Sequence, residues 1–247
     1  MTSPTVPSTP RFADLERSLA SAGPAPRLIW YGPDRERIEL SGAVLLNWAA
    51  KTANLLLEEC DVESGTAVRL ALPVHWRTMA IALGAWQAGA ELRVVSGAGA
   101  GADAGVADDG DVAVHVDVAP AADGTPRADQ EIVVALGALD LRYPGDLPGE
   151  TLDYAAMVRA FGDGFGGDPA TGPLRLVEDG RPVAVATPAT GETGRPRPAR
   201  ALDPSPGVAA TLVAAVDAWL AGVPVLITDD ATRLTDAVLA SERAARV

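Results

Sequence analysis

The sequence predicts an α/β fold: doubly wound, mostly parallel sheets with helices on their faces. Three observations predict it. Short apolar runs of strand length alternate with segments whose apolar residues recur at helical spacing. Glycine or proline stands at most of the joints between them. At 247 residues the chain is long enough to bury a large core without cross-links.

Composition narrows the setting. Cys60 is the sole cysteine, which excludes an internal disulfide and a multi-cysteine zinc site. It fits a reducing compartment, read here as the cytoplasm. A net charge of −13 disfavours nucleic acid and anionic membranes, which recruit clustered Lys and Arg. Apolar runs break well short of the ~20 residues that cross a bilayer. No membrane association is expected.

The elements follow in order. Residues 1–10 mix Ser, Thr and Pro and are expected to form a disordered tail, with the α/β domain over 11–247. Residues 27–31 and 37–40 read as a hairpin around Gly32, Pro33 and Asp34. Ser41 then caps a helix in which Val44, Leu45, Trp48, Thr52, Leu55 and Leu56 recur at helical spacing, with Leu40 packing on Leu45 as a staple. After Gly65 comes a strand at 67–72. A helix over 74–88 carries Trp76, Met79, Ala80, Leu83 and Gln87 on successive turns, and Gly89 stands where a left-handed cap belongs. A strand at 92–95 completes this unit.

Residues 96–110 are almost all Gly, Ala and Asp and predict a mobile loop. Strands are expected at 112–118 and 131–136, and a helix at 151–161. The glycine-rich 162–172 stretch marks an internal boundary, giving two lobes at about 11–161 and 173–247. Beyond it the spacing predicts a strand at 183–187, a polar loop at 190–206, a helix at 208–221, a strand at 223–228 and a final helix over 231–246.

Several of these pieces share an order with a known family. Glu39-Leu40-Ser41, Trp48, Asn54-Leu55-Leu56, the 65–72 stretch, Pro73 and Ala85-Trp86-Gln87-Ala88-Gly89-Ala90 resemble the opening of the AMP-binding, acyl-CoA-synthetase superfamily. Val74 departs from the asparagine usual there. Ala189-Thr190-Gly191-Glu192-Thr193-Gly194-Arg195-Pro196-Arg197 resembles the phosphate-binding loop of these adenylate-forming enzymes. Gly191, Thr193, Gly194 and Pro196 agree with its "T-S-G-T-T-G-x-P-K" run.

The resemblance implies contact with ATP or AMP, with Mg²⁺, through Thr190, Gly191, Thr193, Gly194, Arg195 and Arg197. Glycines let backbone N–H groups approach phosphate oxygens, hydroxyls add donors and a terminal cation offsets charge. Glu192 opposes this by placing a carboxylate where phosphate charge gathers. The family's later adenine, ribose, hinge and lysine motifs are not found in these residues, so complete acyl-adenylate or ligase activity is not expected. Three readings stay open: weak nucleotide binding, a non-catalytic interaction or scaffold protein, and an enzyme half that needs a partner chain. If active, the chemistry would be ligase-like.

Other polar residues read as structural. His75 opens a helix beside Trp76 and His115 lies in a strand, and neither has metal-ligand spacing. Trp48, Trp76 and Trp86 fit core packing, while Trp30 reads as core or as an exposed interface anchor. Asp108, Asp109 and Asp111 fit a solvated loop. Cys60 and Ser41 lack a neighbouring base, and Lys51, the single lysine, fits a side chain lying along its helix. No catalytic or metal-ligating residue is expected.

Overall fold

The computed structural model describes residues 9–97, 112–120, 127–137, 140–185 and 197–246. Helix α1 spans Phe12–Ala20, and strands β1 (Pro26–Tyr31) and β2 (Arg37–Ser41) pair antiparallel. Helix α2 (Gly42–Cys60) leads to β3 (Ala67–Ala71), and α3 (Trp76–Gln87) leads to β4 (Glu91–Val94). Strands β5 (Val114–Asp117), β6 (Gln130–Val133) and β7 (Leu152–Asp153) follow, then α4 (Tyr154–Met157) and a 3-10 turn, Val158–Ala160. The chain continues through β8 (Arg175–Glu178), β9 (Arg181–Pro182), β10 (Ala199–Ala201), α5 (Val208–Leu220) and β11 (Val225–Thr228). It ends in a 3-10 turn (Ala231–Arg233), α6 (Asp236–Ser241) and β12 (Ala244–Arg246).

Among the described residues these strands make two mostly parallel sheets, ordered β12-β10-β11-β1-β2 and β7-β6-β5-β3-β4-β8-β9. The α/β class read from the sequence is the class observed. The pairing is nonlocal. Strand β1 lies parallel to β11 and β8 lies parallel to β4, so strands from either side of 162–172 meet in both sheets. One continuous core joins α1, α2, α3 and α5 to the inner faces of both sheets. Its largest fully buried side chains include Trp30, Trp86, Trp219 and Tyr154.

Local chemistry explains the elements that match expectation. The Ser41 hydroxyl accepts the Val44 N–H at 3.3 Å, capping α2, and Leu40 and Leu45 are both buried in the core. Gly89 has φ +87° just beyond α3, the left-handed conformation only glycine adopts without strain. The two helices that open the core approach closely. A Cβ on Gly42 would stand 1.9 Å from the Leu19 carbonyl oxygen, so the end of α1 fits against α2 only because that residue is glycine.

Several expectations are corrected. Val44 is 42% exposed and does not belong to the buried face of α2. The expected 151–161 helix is a two-residue strand, one helical turn and a 3-10 turn, with the Asp153 carboxylate capping by accepting the Ala156 N–H at 3.2 Å. No ladder strand occupies 183–185. Instead Pro182 ends β9, and the Val183 N–H donates to Leu176 O at 2.8 Å in a hairpin with β8. Strand β10 lies inside what reads as the 190–206 loop. The expected final helix is broken at Leu234, and Thr235 starts α6 as its cap by accepting the Val238 N–H. Arg243, at φ +50°, then turns the chain into β12.

Pro10, within the expected tail, is buried, and its carbonyl accepts the Leu174 N–H at 2.9 Å. The expected mobile loop lies outside the described residues from position 98 onward, as do Asp108, Asp109 and Asp111.

Candidate functional site

Of the six residues expected to contact phosphate, Thr190, Gly191, Thr193, Gly194 and Arg195 lie outside the described residues. Arg197 is described. Its Nη1 donates to the Ala221 carbonyl at 3.2 Å, at the C-terminal end of α5. A guanidinium there meets the negative end of the helix dipole and one of the carbonyls the helix leaves unpaired. Arg197 therefore stands at the N-terminal end of β10, close to the start of β11.

The opposite ends of these strands open on a cleft of about 390 Å³. Pro73 and Val74 follow β3, Val95 to Gly97 follow β4, Pro204 to Val208 join β10 to α5, and Asp229 follows β11. Parallel sheets place their ligand crevices at the carboxyl ends of their strands. Two sheets meet here. The start of α5 adds its first amides, since Gly207 caps it without a side-chain oxygen.

Charge decides what such a cleft favours. Among the described lining residues there is no lysine or arginine, and the one ionisable group is Asp229. Asp229 already accepts the Arg233 Nε–H at 2.7 Å and a hydrogen bond from Thr228 at 3.3 Å. Glu178 lies nearby, with a carboxylate oxygen 4.0 Å from where a Cβ on Gly207 would stand. Like charges a few ångströms apart repel, so these walls suit an uncharged group better than a polyphosphate. Proline and valine supply the apolar area and Ser96 and Ser205 the hydroxyls.

The remaining reactive side chains have structural partners. His75 caps α3, its Nδ1 accepting the Arg77 N–H at 3.1 Å, and its ring meets Trp30 edge-on at 4.5 Å. Burial, then Arg77, pushes the imidazole down to about 3, so it is neutral at physiological pH. Trp30 is 1% exposed, which removes the interface-anchor alternative. His115 Nε2 lies 3.1 Å from Arg127 Nη1, and Arg127 also pairs with Asp117. A guanidinium only donates, so this imidazole nitrogen accepts.

Cys60 is buried and its thiol is pushed up to about 12 by burial, leaving little thiolate. Lys51 does not simply lie along its helix: its ammonium reaches Asp163 at 2.9 Å and donates to Phe161 O. Among the described residues no group of three or more His, Cys, Asp or Glu is placed to hold a metal ion, and no helix is long and apolar enough to cross a membrane.

The architecture has counterparts among solved enzymes. A Brucella canis acyl-CoA synthetase superposes on 93% of this chain with a TM-score of 0.64 at 18% identity, the match covering 44% of the enzyme. The fold is that of the acyl-CoA synthetases. A Mycobacterium tuberculosis fatty acyl CoA synthetase gives a TM-score of 0.64 at 17% identity over 95% of this chain and 48% of its own. An anthranilate CoA ligase solved with anthranoyl-AMP gives 0.59 at 15%, over 97% and 49%. The chain thus spans about half the length of the acyl-CoA synthetases it resembles. A curated M. tuberculosis protein, whose name records a family and no activity, is 42% identical over 88 residues, 35% of this chain and 36% of that protein. No family model matches the chain.

Sequence reasoning missed the cleft. Its signals were nonetheless present: Pro73-Val74 directly after a strand, and Pro204-Ser205-Pro206-Gly207 directly before a helix. Such segments mark carboxyl ends of strands, where side chains are available to ligands.

Proposed function

We propose that this chain is a ligand-binding domain of adenylate-forming type that contacts ATP or AMP weakly, with Mg²⁺, and does not by itself carry complete acyl-adenylate or ligase chemistry. The observation that carries this is the shared fold, which extends over nearly the whole chain and about half of each acyl-CoA synthetase. In this reading Thr190, Gly191, Thr193, Gly194 and Arg195 contribute the phosphate contacts, and Arg197, bonded to the Ala221 carbonyl at the end of α5 remote from the cleft, anchors the end of that loop. The cleft between the two sheets takes the uncharged, acyl-like part of the ligand, because its described walls lack a cation. The protein works in the cytoplasm.

The test is calorimetric titration of the full chain with ATP, AMP and octanoyl sulfamoyl adenosine, a non-hydrolysable acyl-adenylate analogue, in the presence of Mg²⁺. Arg195→Ala is the informative variant, since Arg197 caps α5 and its loss would mix binding with folding. Weakened nucleotide binding in Arg195→Ala supports the proposal. Absence of binding by all three compounds ends it and favours the second reading, a protein-interaction scaffold.

A further inference from the structure

The turn between β8 and β9 consists of Asp179 and Gly180, with φ of +45° and +75°. Asp-Gly is one of the pairs favoured in a two-residue hairpin turn with both residues left-handed. That turn does more than reverse the chain. The Asp179 N–H donates to Val94 O at 3.2 Å, carrying the parallel β4–β8 ladder one step past its last pair, Val94 and Glu178. Its carboxylate then takes over from the backbone. Oδ1 accepts the Ser96 N–H at 3.0 Å and Oδ2 accepts the Ser96 hydroxyl.

Ser96 and Gly97 are part of the cleft wall and Asp179 is not. The Val95 N–H still donates to Leu70 O on β3 at 3.1 Å, and beyond it the segment leaves the ladder, so the path of Ser96 toward the α5 entrance is set by this grip. Both bonds from Ser96 favour the ionised carboxylate and hold it below the ordinary aspartate range, so the grip is formed at neutral pH.

We propose that Asp179 is a positioning residue for the cleft: it touches no ligand, but by holding Ser96 it fixes the wall that Ser96 and Gly97 present toward Pro204 to Val208. This inference rests on the reading of the cleft as the acyl-side pocket. It also makes the β8–β9 hairpin a direct mechanical neighbour of that pocket.

Two measurements on the full chain separate the inference from the reading beneath it. In an amide NMR spectrum the Ser96 N–H resonance should move as acid protonates Asp179, and Asp179→Asn should abolish that titration while the urea midpoint changes little. In calorimetry with octanoyl sulfamoyl adenosine, Asp179→Ala should weaken binding about fivefold and leave AMP affinity unchanged, with Asp179→Asn intermediate because one acceptor oxygen survives. A Ser96 resonance indifferent to Asp179 overturns the inference, and so does unchanged analogue affinity in Asp179→Ala. If the wild-type chain binds no analogue while Ser96 still titrates with Asp179, the pocket reading falls and the positioning role falls with it, leaving a structural clasp.

Discussion

Gly84 of α3 sits directly on Thr52 of α2: a Cβ at Gly84 would stand 2.5 Å from the Thr52 Cβ and 2.8 Å from the Ala49 carbonyl. The two helices touch backbone to side chain, and Thr52 is itself fixed by a hydrogen bond to Trp48 O at 2.8 Å and another with the Tyr154 hydroxyl at 2.8 Å. Gly84→Ala therefore cannot be absorbed by a rotamer change. Overpacking of this kind costs about 1–3 kcal/mol, and the better helix propensity of alanine returns up to about 1. A urea melt should show a lowered midpoint with an unchanged slope. An unchanged midpoint would mean that the helices slide apart freely.

His75 makes the stability of the domain sensitive to acid. Its folded-state value is about 3, against about 6.5 in an unfolded chain. Between those values the unfolded state binds more protons than the folded state, so stability is fully present above about pH 6.5 and is lost as pH falls toward 3. Urea midpoints at pH 7.5, 6 and 5 should fall progressively for the wild type. The fall should be shallower for His75→Gln, and the difference between the two isolates this residue from the carboxylates.

What the sequence made legible is what short-range chemistry decides. The first hairpin, the Ser41 cap, the Gly89 cap and the helix before β11 all depend on neighbours within a few residues, and all are where the pattern places them. The losses are of a different kind. Strand β12 exists because Ala244 to Arg246 pair with β10, and β10 because it pairs with β11, contacts that no local pattern encodes. Residues 231–246 have the composition of a helix, yet Leu234 turns inward to pack on Ile29 and Leu226 and ends the first turn. At the candidate site, the expected loop rested on glycine and hydroxyl spacing. The cleft needed two sheets to be brought together.

Asn54 converts a glycine-rich stretch into fixed structure. It is buried on α2, its Nδ2 donates to Gly162 O at 3.3 Å and Gly164 O at 2.9 Å, and its Oδ1 accepts the Gly166 N–H at 2.8 Å. Asn54→Ala would strip three partners at once from a segment with little apolar area of its own. Leaving such groups to water or unpaired costs about 1–3 kcal/mol. Hydrogen exchange across 162–166 should accelerate much more than across β3. Equal protection in the variant would show that Lys51 and its bond to Phe161 O suffice to hold the segment.

The end of α6 is tied to the first hairpin by charge. Glu242 accepts the Arg37 Nε–H at 2.7 Å and its Nη2–H at 3.0 Å, and the Tyr31 hydroxyl donates to it at 2.5 Å. Donation from Arg37 is the main reason the carboxyl is held below the ordinary glutamate range. A depressed folded value means the contribution is present at neutral pH and fades as pH falls below the unfolded value of about 4.3 through the lower folded one. Arg37 is partly exposed, so solvent screens the pair and Glu242→Gln should cost under about 1 kcal/mol globally. Its local effect should be larger, because α6 buries no residue fully and meets the sheet through the half-buried Val238 and Leu239. Exchange across 236–246 should rise in Glu242→Gln at low salt, and the gap from wild type should narrow in 1 M salt as the wild-type pair is screened. A gap that ignores salt would assign the tie to the Tyr31 hydrogen bond instead of the ion pair.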